Sequence, residues 1–176
     1  MFSCFSNLLA QSIKEGLKSF VSRKSDSKAS NLDSGSESLA KLHATAKLVR
    51  GFRIDVDDGR KHAICLDLPP DDDGTDMGPS ALELALMSYV GCYATIFALT
   101  AEKMRITPKD LQVDSEAVKS EEAGTITQVR VNISVLADAP QDRIERAHEL
   151  TLKTCPVGIL FERAGVKMEY RLRMER

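Results

Sequence analysis

The chain has 176 residues, and its 24 lysines and arginines are nearly balanced by 26 aspartates and glutamates, which leaves a net charge of −2. Because a nucleic-acid partner requires an excess of cationic side chains, this balance argues against such a partner. Hydrophobic residues make up 43% of the chain and charged residues 28%, which is enough apolar material for a packed core. We expect one compact domain with an additional segment.

The amino-terminal 41 residues form that additional segment. Apolar side chains recur at spacings of three and four between residues 5 and 21, which predicts an amphipathic helix over residues 1–21. This helix would cover an apolar face of its own fold or of a dimer mate, or dock on a membrane surface or a partner. Seven serines between positions 22 and 38 predict a flexible linker over residues 22–41, followed by the main domain at 42–176.

The first half of the main domain predicts three strands and one long helix. The strands cover residues 44–49, 52–57 and 62–68, and the Asp58-Gly59 step indicates a hairpin. Ser80 and Glu83 form a capping box at the start of a helix that runs to about residue 104. This helix is apolar nearly all round, so we expect it to be a central helix, buried by a sheet and a partner chain, and not a membrane span.

The second half predicts a hairpin, two helices and a last strand. Alternating patterns favour strands at 111–119 and 126–136, and a helical pattern follows Pro140 until Pro156 interrupts it. A short helix and a final strand then cover 157–164 and 166–174. The order predicts an α+β chain whose sheets are largely antiparallel.

The cysteines carry the main chemical signal. They form no C-x-x-C pair and are too few for a disulfide scaffold, which favours a reducing, cytoplasmic setting, and the histidines have no ligand-like spacing, so we expect neither a metal nor a cofactor. Cys155 precedes Pro156 as the expected N-cap of a helix, where free N–H groups favour a thiolate. Cys92 lies in the buried helix and needs a nearby cation to ionise. The two thiols suit peroxide reduction followed by disulfide formation, or they are two independent buried hydrophobic residues.

Two motifs resemble the paired signature of the OsmC/Ohr family of thiol-dependent peroxide-handling proteins. They are Gly78-Pro79-Ser80-Ala81-Leu82-Glu83-Leu84 leading to Gly91-Cys92, and Thr154-Cys155-Pro156-Val157. The resemblance extends from about Ala44 to the carboxyl terminus. It implies an OsmC-like fold, with antiparallel sheets around a long buried central helix, and an intertwined homodimer.

The resemblance also implies roles for individual residues. Cys92 matches the peroxide-attacking cysteine and Cys155 the resolving cysteine. Arg50 matches an arginine that lowers the pKa of the reactive thiol, and Arg53 is its rival for that role. The glutamate that positions this arginine in peroxidase members falls here at Leu82, so Glu83, one residue later, is the candidate for that role or serves mainly as the capping-box acid.

Two functional hypotheses follow from the resemblance. The first is a thiol-dependent peroxidase that reduces organic hydroperoxides through a Cys92–Cys155 disulfide and is itself reduced by a dithiol such as a lipoyl protein or thioredoxin. Tyr89, Tyr93 and Met87 would line its pocket or belong to the core. The second is a non-catalytic dimer that binds a small apolar ligand or is associated with stress, with both cysteines as packing residues.

Overall fold

The computed structural model describes residues 40–175. The predicted amphipathic helix and all but the last two residues of the predicted linker lie outside the described residues. From Leu42 onward the chain forms one compact unit. Its order of three strands, a long helix, two strands, two helices and a strand confirms the predicted order.

The first sheet contains three short antiparallel strands in the order β1-β2-β3. Gly51, at φ +59°, lies in the turn between the first two strands, and Gly59, at φ +73°, lies in the predicted Asp-Gly hairpin. Both positions require a left-handed backbone, which glycine adopts without steric cost. The strands are β1 (Thr45–Arg50), β2 (Arg53–Asp57) and β3 (Ala63–Leu66).

The long helix α1 (Ala81–Lys103) begins at the predicted capping box. The Ser80 hydroxyl accepts a hydrogen bond from the Glu83 backbone, and the Ser80 backbone donates one to the Glu83 carboxylate at 2.7 Å. One side of α1 is fully buried, whereas the opposite side is exposed, so residues 40–175 of one chain do not bury this helix all round. The buried side chains are Tyr89, Tyr93, Phe97 and Ala101, and the exposed small residues are Ser88, Gly91, Thr95 and Ala98.

Length and composition alone would also allow α1 to cross a membrane, since its apolar window has a mean hydropathy of 1.6. Four of its side chains belong instead to the core that the second sheet and the other helices complete. These four side chains make α1 part of the core of the described residues.

The second sheet is formed by β4 (Pro108–Ser120), β5 (Thr125–Ala137) and β6 (Lys167–Glu175). Its central strand points four side chains into the core, as predicted: Val129, Val131, Ile133 and Val135, each at most 1% exposed. β4 is antiparallel to β5, but β6 is parallel to it. The helices α2 (Gln141–Thr154) and α3 (Pro156–Arg163) connect β5 to β6 as a crossover, which makes these two strands parallel. The expected antiparallel pairing therefore holds for three of the four described strand pairs.

Candidate functional site

The buried side of α1 presents Cys92 together with two tyrosines. Cys92 and Tyr93 follow Tyr89 by three and four residues, so all three lie on one side of the helix. Both tyrosines are fully buried, and Cys92 is half-buried against the core cluster. Cys92 is therefore the more accessible of the two cysteines that the motifs contain.

Cys155 lies at the junction between α2 and α3. It is the N-cap of α3, with Pro156 as the first helical residue, as the sequence predicted. Its sulfur accepts a hydrogen bond from the Gly158 backbone at 3.4 Å and is 1% exposed. The helix start thus fixes the position of a buried thiol.

The Cys92 thiol lies close enough to Cys155 to affect the pKa of Cys155, and both thiols are free. Burial raises the pKa of Cys155 to about 11, and the neighbouring Cys92 raises this pKa further, whereas the Gly158 and Val157 N–H groups lower it. The sequence predicted that the helix start would favour a thiolate at Cys155. The N–H groups do act in this direction, but desolvation of the charged form outweighs them.

An aromatic wall lies against this thiol pair. Gly158 separates the Cys155 sulfur from the Tyr89 ring, because a Cβ atom at this glycine would lie 3.5 Å from the sulfur and 3.3 Å from the ring. The Tyr89 hydroxyl donates a hydrogen bond to the Tyr170 hydroxyl at 3.1 Å. Burial raises the pKa of Tyr89 and of Tyr93, and a negative charge on Cys155 adds to both effects. Both phenols therefore remain protonated beside the cysteines.

His148, which the sequence analysis did not single out, completes the wall. Its Nδ1 atom lies 2.5 Å from the Tyr93 hydroxyl, and its ring meets the Tyr170 ring edge-on at a centroid distance of 5.8 Å. Burial lowers the pKa of His148, although the Glu149 carboxylate opposes this effect. His148 precedes Cys155 by seven residues, two helical turns, and this spacing was the signal in the sequence that could have placed both on one side of α2.

The two candidate arginines lie elsewhere in the chain. Arg50 and Arg53 are paired across the β1–β2 hairpin and line a cavity of about 420 Å³ with Asp67 and Met77. Among the residues that the structure describes, neither arginine forms an ion pair. Neither of them contributes to the pKa of Cys155. A single chain therefore does not bring the predicted cation to the thiol pair.

Glu83 is engaged at the start of α1. Its carboxylate accepts the Ser80 backbone N–H, and this hydrogen bond is the main reason why the pKa of Glu83 is lowered. Leu82, at the position where peroxidase relatives were expected to have a glutamate, is half-buried and packs against the core. Among residues 40–175 of one chain, Glu83 therefore acts on the helix end and forms no ion pair with an arginine.

Comparisons with known proteins agree with this architecture. The family model for OsmC-like proteins matches residues 73–171, which is more than half of the chain. The fold is similar to that of an OsmC-like protein from Mycoplasma pneumoniae, with a TM-score of 0.70 and 17% identity over 78% of this chain and 99% of that one. No curated protein sequence matches the chain.

Two further structures of the same fold are described as organic hydroperoxide resistance proteins. One, from Legionella pneumophila, has a TM-score of 0.57 and 17% identity over 80% of this chain and 100% of that one. The other, OhrB from Bacillus subtilis, has a TM-score of 0.53 and 19% identity over 76% and 98%. At these identities the structures establish the fold, and the family match extends over both cysteines. The chain belongs to the family of OsmC-like proteins.

Proposed function

We propose that this protein is a thiol-dependent peroxidase that reduces organic hydroperoxides, with Cys92 as the attacking thiol and Cys155 as the resolving thiol. The observation that carries the proposal is that a half-buried free thiol and a fully buried free thiol are neighbours, since Cys92 affects the pKa of Cys155. The more exposed sulfur can meet a substrate, and the buried sulfur is placed to react with it afterwards. The relatives described as hydroperoxide resistance proteins support the substrate class.

The proposed reaction has two steps. The Cys92 thiolate attacks one oxygen of the hydroperoxide, the O–O bond breaks, and an alcohol leaves once the departing oxygen has taken up a proton. Cys92 is then a sulfenic acid. The Cys155 sulfur attacks the Cys92 sulfur, the S–O bond breaks, and the hydroxyl leaves as water with the proton that Cys155 gives up. The hydroperoxide is reduced by two electrons and the two thiols are oxidised to a disulfide.

The thiolate of Cys92 requires a cation, and we propose that Arg50 of a second copy supplies it in a homodimer. β1 is exposed along its whole length, and apolar side chains near the hairpin turn are exposed as well, including Leu48 at 63% and Phe52 at 53%. The exposed side of α1 adds Met87 and Leu99 to this apolar surface. A second chain that covers these surfaces would bury them and could place its hairpin beside the cysteine pair.

A dithiol in a reducing compartment would return the disulfide to two thiols. The three described cysteines are free, which supports a cytoplasmic setting. A lipoyl protein or thioredoxin is the proposed reductant, because each presents two thiols that reduce a disulfide by exchange through a mixed disulfide.

Mass spectrometry of the full chain after treatment with cumene hydroperoxide tests this function. We expect the protein to lose two hydrogen atoms and to yield a peptide that joins Cys92 to Cys155. Cys92→Ser should abolish this change, and Cys155→Ser should instead accumulate a sulfenic acid that dimedone traps. Cys65→Ser is the matched control and should behave as the unsubstituted chain.

The alternative function predicts a different outcome. A non-catalytic dimer that binds a small apolar ligand would keep both thiols unchanged under excess hydroperoxide. Unchanged masses at Cys92 and Cys155, in a protein that remains folded, would overturn the peroxidase proposal.

A further inference from the structure

All three tyrosines of the chain lie in one aromatic cluster, and the chain has no tryptophan. The Tyr89 hydroxyl donates a hydrogen bond to the Tyr170 hydroxyl at 3.1 Å, and the Tyr170 ring meets the His148 ring edge-on at a centroid distance of 5.8 Å. Tyrosine and tryptophan are the aromatic side chains that lose one electron most readily. The chain therefore has its readily oxidised aromatic rings in one place.

Tyr93 differs from the other two tyrosines because its hydroxyl meets a base. Its oxygen lies 2.5 Å from Nδ1 of His148, and this nitrogen accepts the phenol proton when the imidazole carries its own proton on Nε2. Among the described residues, the hydroxyls of Tyr89 and Tyr170 bond to each other instead. A phenol that loses an electron becomes a strong acid, so a base already bonded to it eases the loss. Tyr93 is thus the best one-electron donor of the cluster.

His148 can hold the proton that Tyr93 would release. Burial lowers the pKa of His148, so the imidazole is neutral at neutral pH before the reaction. The ring lines a cavity of about 1090 Å³, and the Glu149 carboxylate on this cavity favours the positive imidazolium. The ionisable groups that line the cavity with His148 are Lys109, Asp138, Glu145, Glu149, Tyr170 and Glu175. Four carboxylates against one ammonium group therefore surround the site of the added positive charge.

Cys92 directly precedes Tyr93 in α1. The Cα atoms of consecutive residues are about 3.8 Å apart, and both side chains lie on the buried side of the helix. Cys92 is half-buried, whereas Tyr93 is fully buried. An electron passes between neighbouring side chains without a hydrogen bond between them. A radical on the Cys92 sulfur could therefore take an electron from Tyr93.

We propose that Tyr93 and His148 form a redox-active pair that gives one electron to a radical on Cys92. The radical arises in two steps. A hydroperoxide takes up one electron from a ferrous ion, its O–O bond breaks, and an alkoxyl radical and hydroxide are formed. The alkoxyl radical then removes the hydrogen atom of the Cys92 thiol, which leaves an alcohol and a thiyl radical.

The transfer itself involves one electron and one proton. The electron moves from Tyr93 to the Cys92 sulfur, and the phenol proton moves to Nδ1 of His148. The products are a Cys92 thiolate, a neutral Tyr93 radical and an imidazolium. This activity goes beyond the proposed function, in which the hydroperoxide takes up two electrons, and it shares with that function only the accessible Cys92.

Electron paramagnetic resonance of freeze-quenched samples tests the proposal. The full chain is used with Cys4, Cys65 and Cys155 replaced by serine, and hexachloroiridate(IV) is the one-electron oxidant. We expect a tyrosyl signal that narrows when ring-deuterated tyrosine is incorporated. The oxygen of this radical should accept a hydrogen bond from the exchangeable proton on His148. Electron–nuclear double resonance should detect that proton in H₂O and lose it in D₂O.

Two variants separate a redox role from a structural one. His148→Gln should lower the yield of the tyrosyl signal at least about tenfold, because no base then accepts the phenol proton. Tyr93→Phe should abolish the signal. It should also increase the amount of Cys92 that the spin trap 5,5-dimethyl-1-pyrroline N-oxide modifies, because the thiyl radical is no longer reduced. Mass spectrometry of the Cys92 peptide measures this increase, which a purely structural role of the phenol would not produce.

The matched controls are Tyr89→Phe and Tyr170→Phe, since each removes a phenol hydroxyl that is bonded to no base among the described residues. Both should keep the signal, as should His62→Gln on the exposed β2–β3 hairpin. The proposal is overturned if Tyr93→Phe keeps the signal or leaves the trapping of Cys92 unchanged. It is also overturned if His148→Gln, with the near-ultraviolet circular dichroism of the parent, keeps the full yield.

Two features keep the test decisive. A tyrosyl radical without an exchangeable hydrogen bond would overturn the proposal in the parent chain itself, whether or not the variants fold. Failure of the peroxidase proposal would be visible separately, because the oxidant here is not a hydroperoxide and the tested chain cannot form the Cys92–Cys155 disulfide.

Discussion

The backbone N–H of Gly158 donates a hydrogen bond to the Cys155 sulfur, 3.4 Å away, yet Cys155 remains a protonated thiol. One helix N-terminus therefore does not outweigh the loss of water around a buried sulfur. The two cysteines therefore differ in their surroundings, since Cys155 is buried and Cys92 is more exposed.

Alkylation of Cys155 should be slow at neutral pH. In the full chain with Cys4, Cys65 and Cys92 replaced by serine, we expect the rate with iodoacetamide to rise about tenfold per pH unit between pH 8 and pH 10, because only the thiolate reacts. The same chain in urea, with an ordinary cysteine pKa near 8.5, should level off about two units earlier. A folded rate that levels off below pH 9 would contradict the raised pKa.

The free energy of unfolding should depend on the protonation of Cys155. Because the folded chain binds the Cys155 proton more tightly than the unfolded chain, this contribution is complete below about pH 8.5 and is lost as the pH rises towards 11. Urea unfolding should therefore show a loss of stability above pH 9. Cys155→Ala should remove that part of the pH dependence.

The capping box should stabilise α1 measurably. Ser80→Ala removes the hydroxyl that accepts the Glu83 backbone N–H, and we expect a loss of about 1 kcal/mol in the free energy of unfolding. Ser88→Ala, the same change on the exposed side of α1, is the control and should alter this free energy by no more than about 0.5 kcal/mol. Equal losses in the free energy of unfolding for both variants would contradict a stabilising role of the capping box.

The exposed small residues of α1 should be a contact surface between two copies. Gly91 has open space around it, so leucine fits the single chain but would separate two closely packed helices. We expect Gly91→Leu to reduce the dimer fraction in analytical ultracentrifugation. Ala123→Leu, in the exposed β4–β5 turn, is the control and should not change it. A protein that is already monomeric before substitution would contradict the proposed dimer.

The Asp67 carboxylate should order the loop between β3 and α1. It accepts hydrogen bonds from the Leu68, Thr75 and Met77 backbones and from the Thr75 hydroxyl, and these bonds lower its pKa. We expect Asp67→Asn to make this loop more sensitive to proteases, because the amide keeps only one acceptor oxygen and its NH2 group would replace an oxygen that now accepts hydrogen bonds. Asp55→Asn, on the exposed side of β2, should change nothing.

The lowered pKa of Asp67 determines how the order of this loop depends on pH. The ordering contribution is complete above about pH 4, the ordinary range of the group, and is lost as the pH falls through the lower value in the folded chain. Proteolysis with pepsin at falling pH should therefore convert the unsubstituted loop into one that is cleaved as fast as that of the variant.

Local chemistry was the most predictable part of the fold. The reciprocal hydrogen bonds of Ser80 and Glu83, the N-cap position of Cys155 and the inward face of β5 all depend on residues within one turn or one strand. The parallel direction of β6 was harder to predict, because it depends on the whole crossover of α2 and α3. The sequence predicted that α1 is buried all round, but composition does not specify which element covers each side of a helix.

The candidate site divides in the same way. The motifs identified Cys92 and Cys155, but their separation in the sequence gave no information on whether they are neighbours. The contact of Tyr93 with His148 was not predicted, because it joins side chains 55 residues apart through the angle at which two helices pack. The raised pKa of Cys155 was not predicted, because the extent of its burial is a property of the assembled core and not of the helix start.

Arg50 and the cysteines of the same chain lie in different places, so a centre built from both needs contributions from two polypeptides. If the proposed peroxidase is a homodimer with such a centre, we expect Cys92→Ser and Arg50→Ala each to inactivate a homogeneous preparation. Co-expressed, the two defective forms would complement each other, since every mixed pair regains one intact centre, in which the arginine comes from one form and the cysteine from the other. In the proposed dimer, the position of the β1–β2 hairpin would therefore allow two inactive forms of the protein to complement each other.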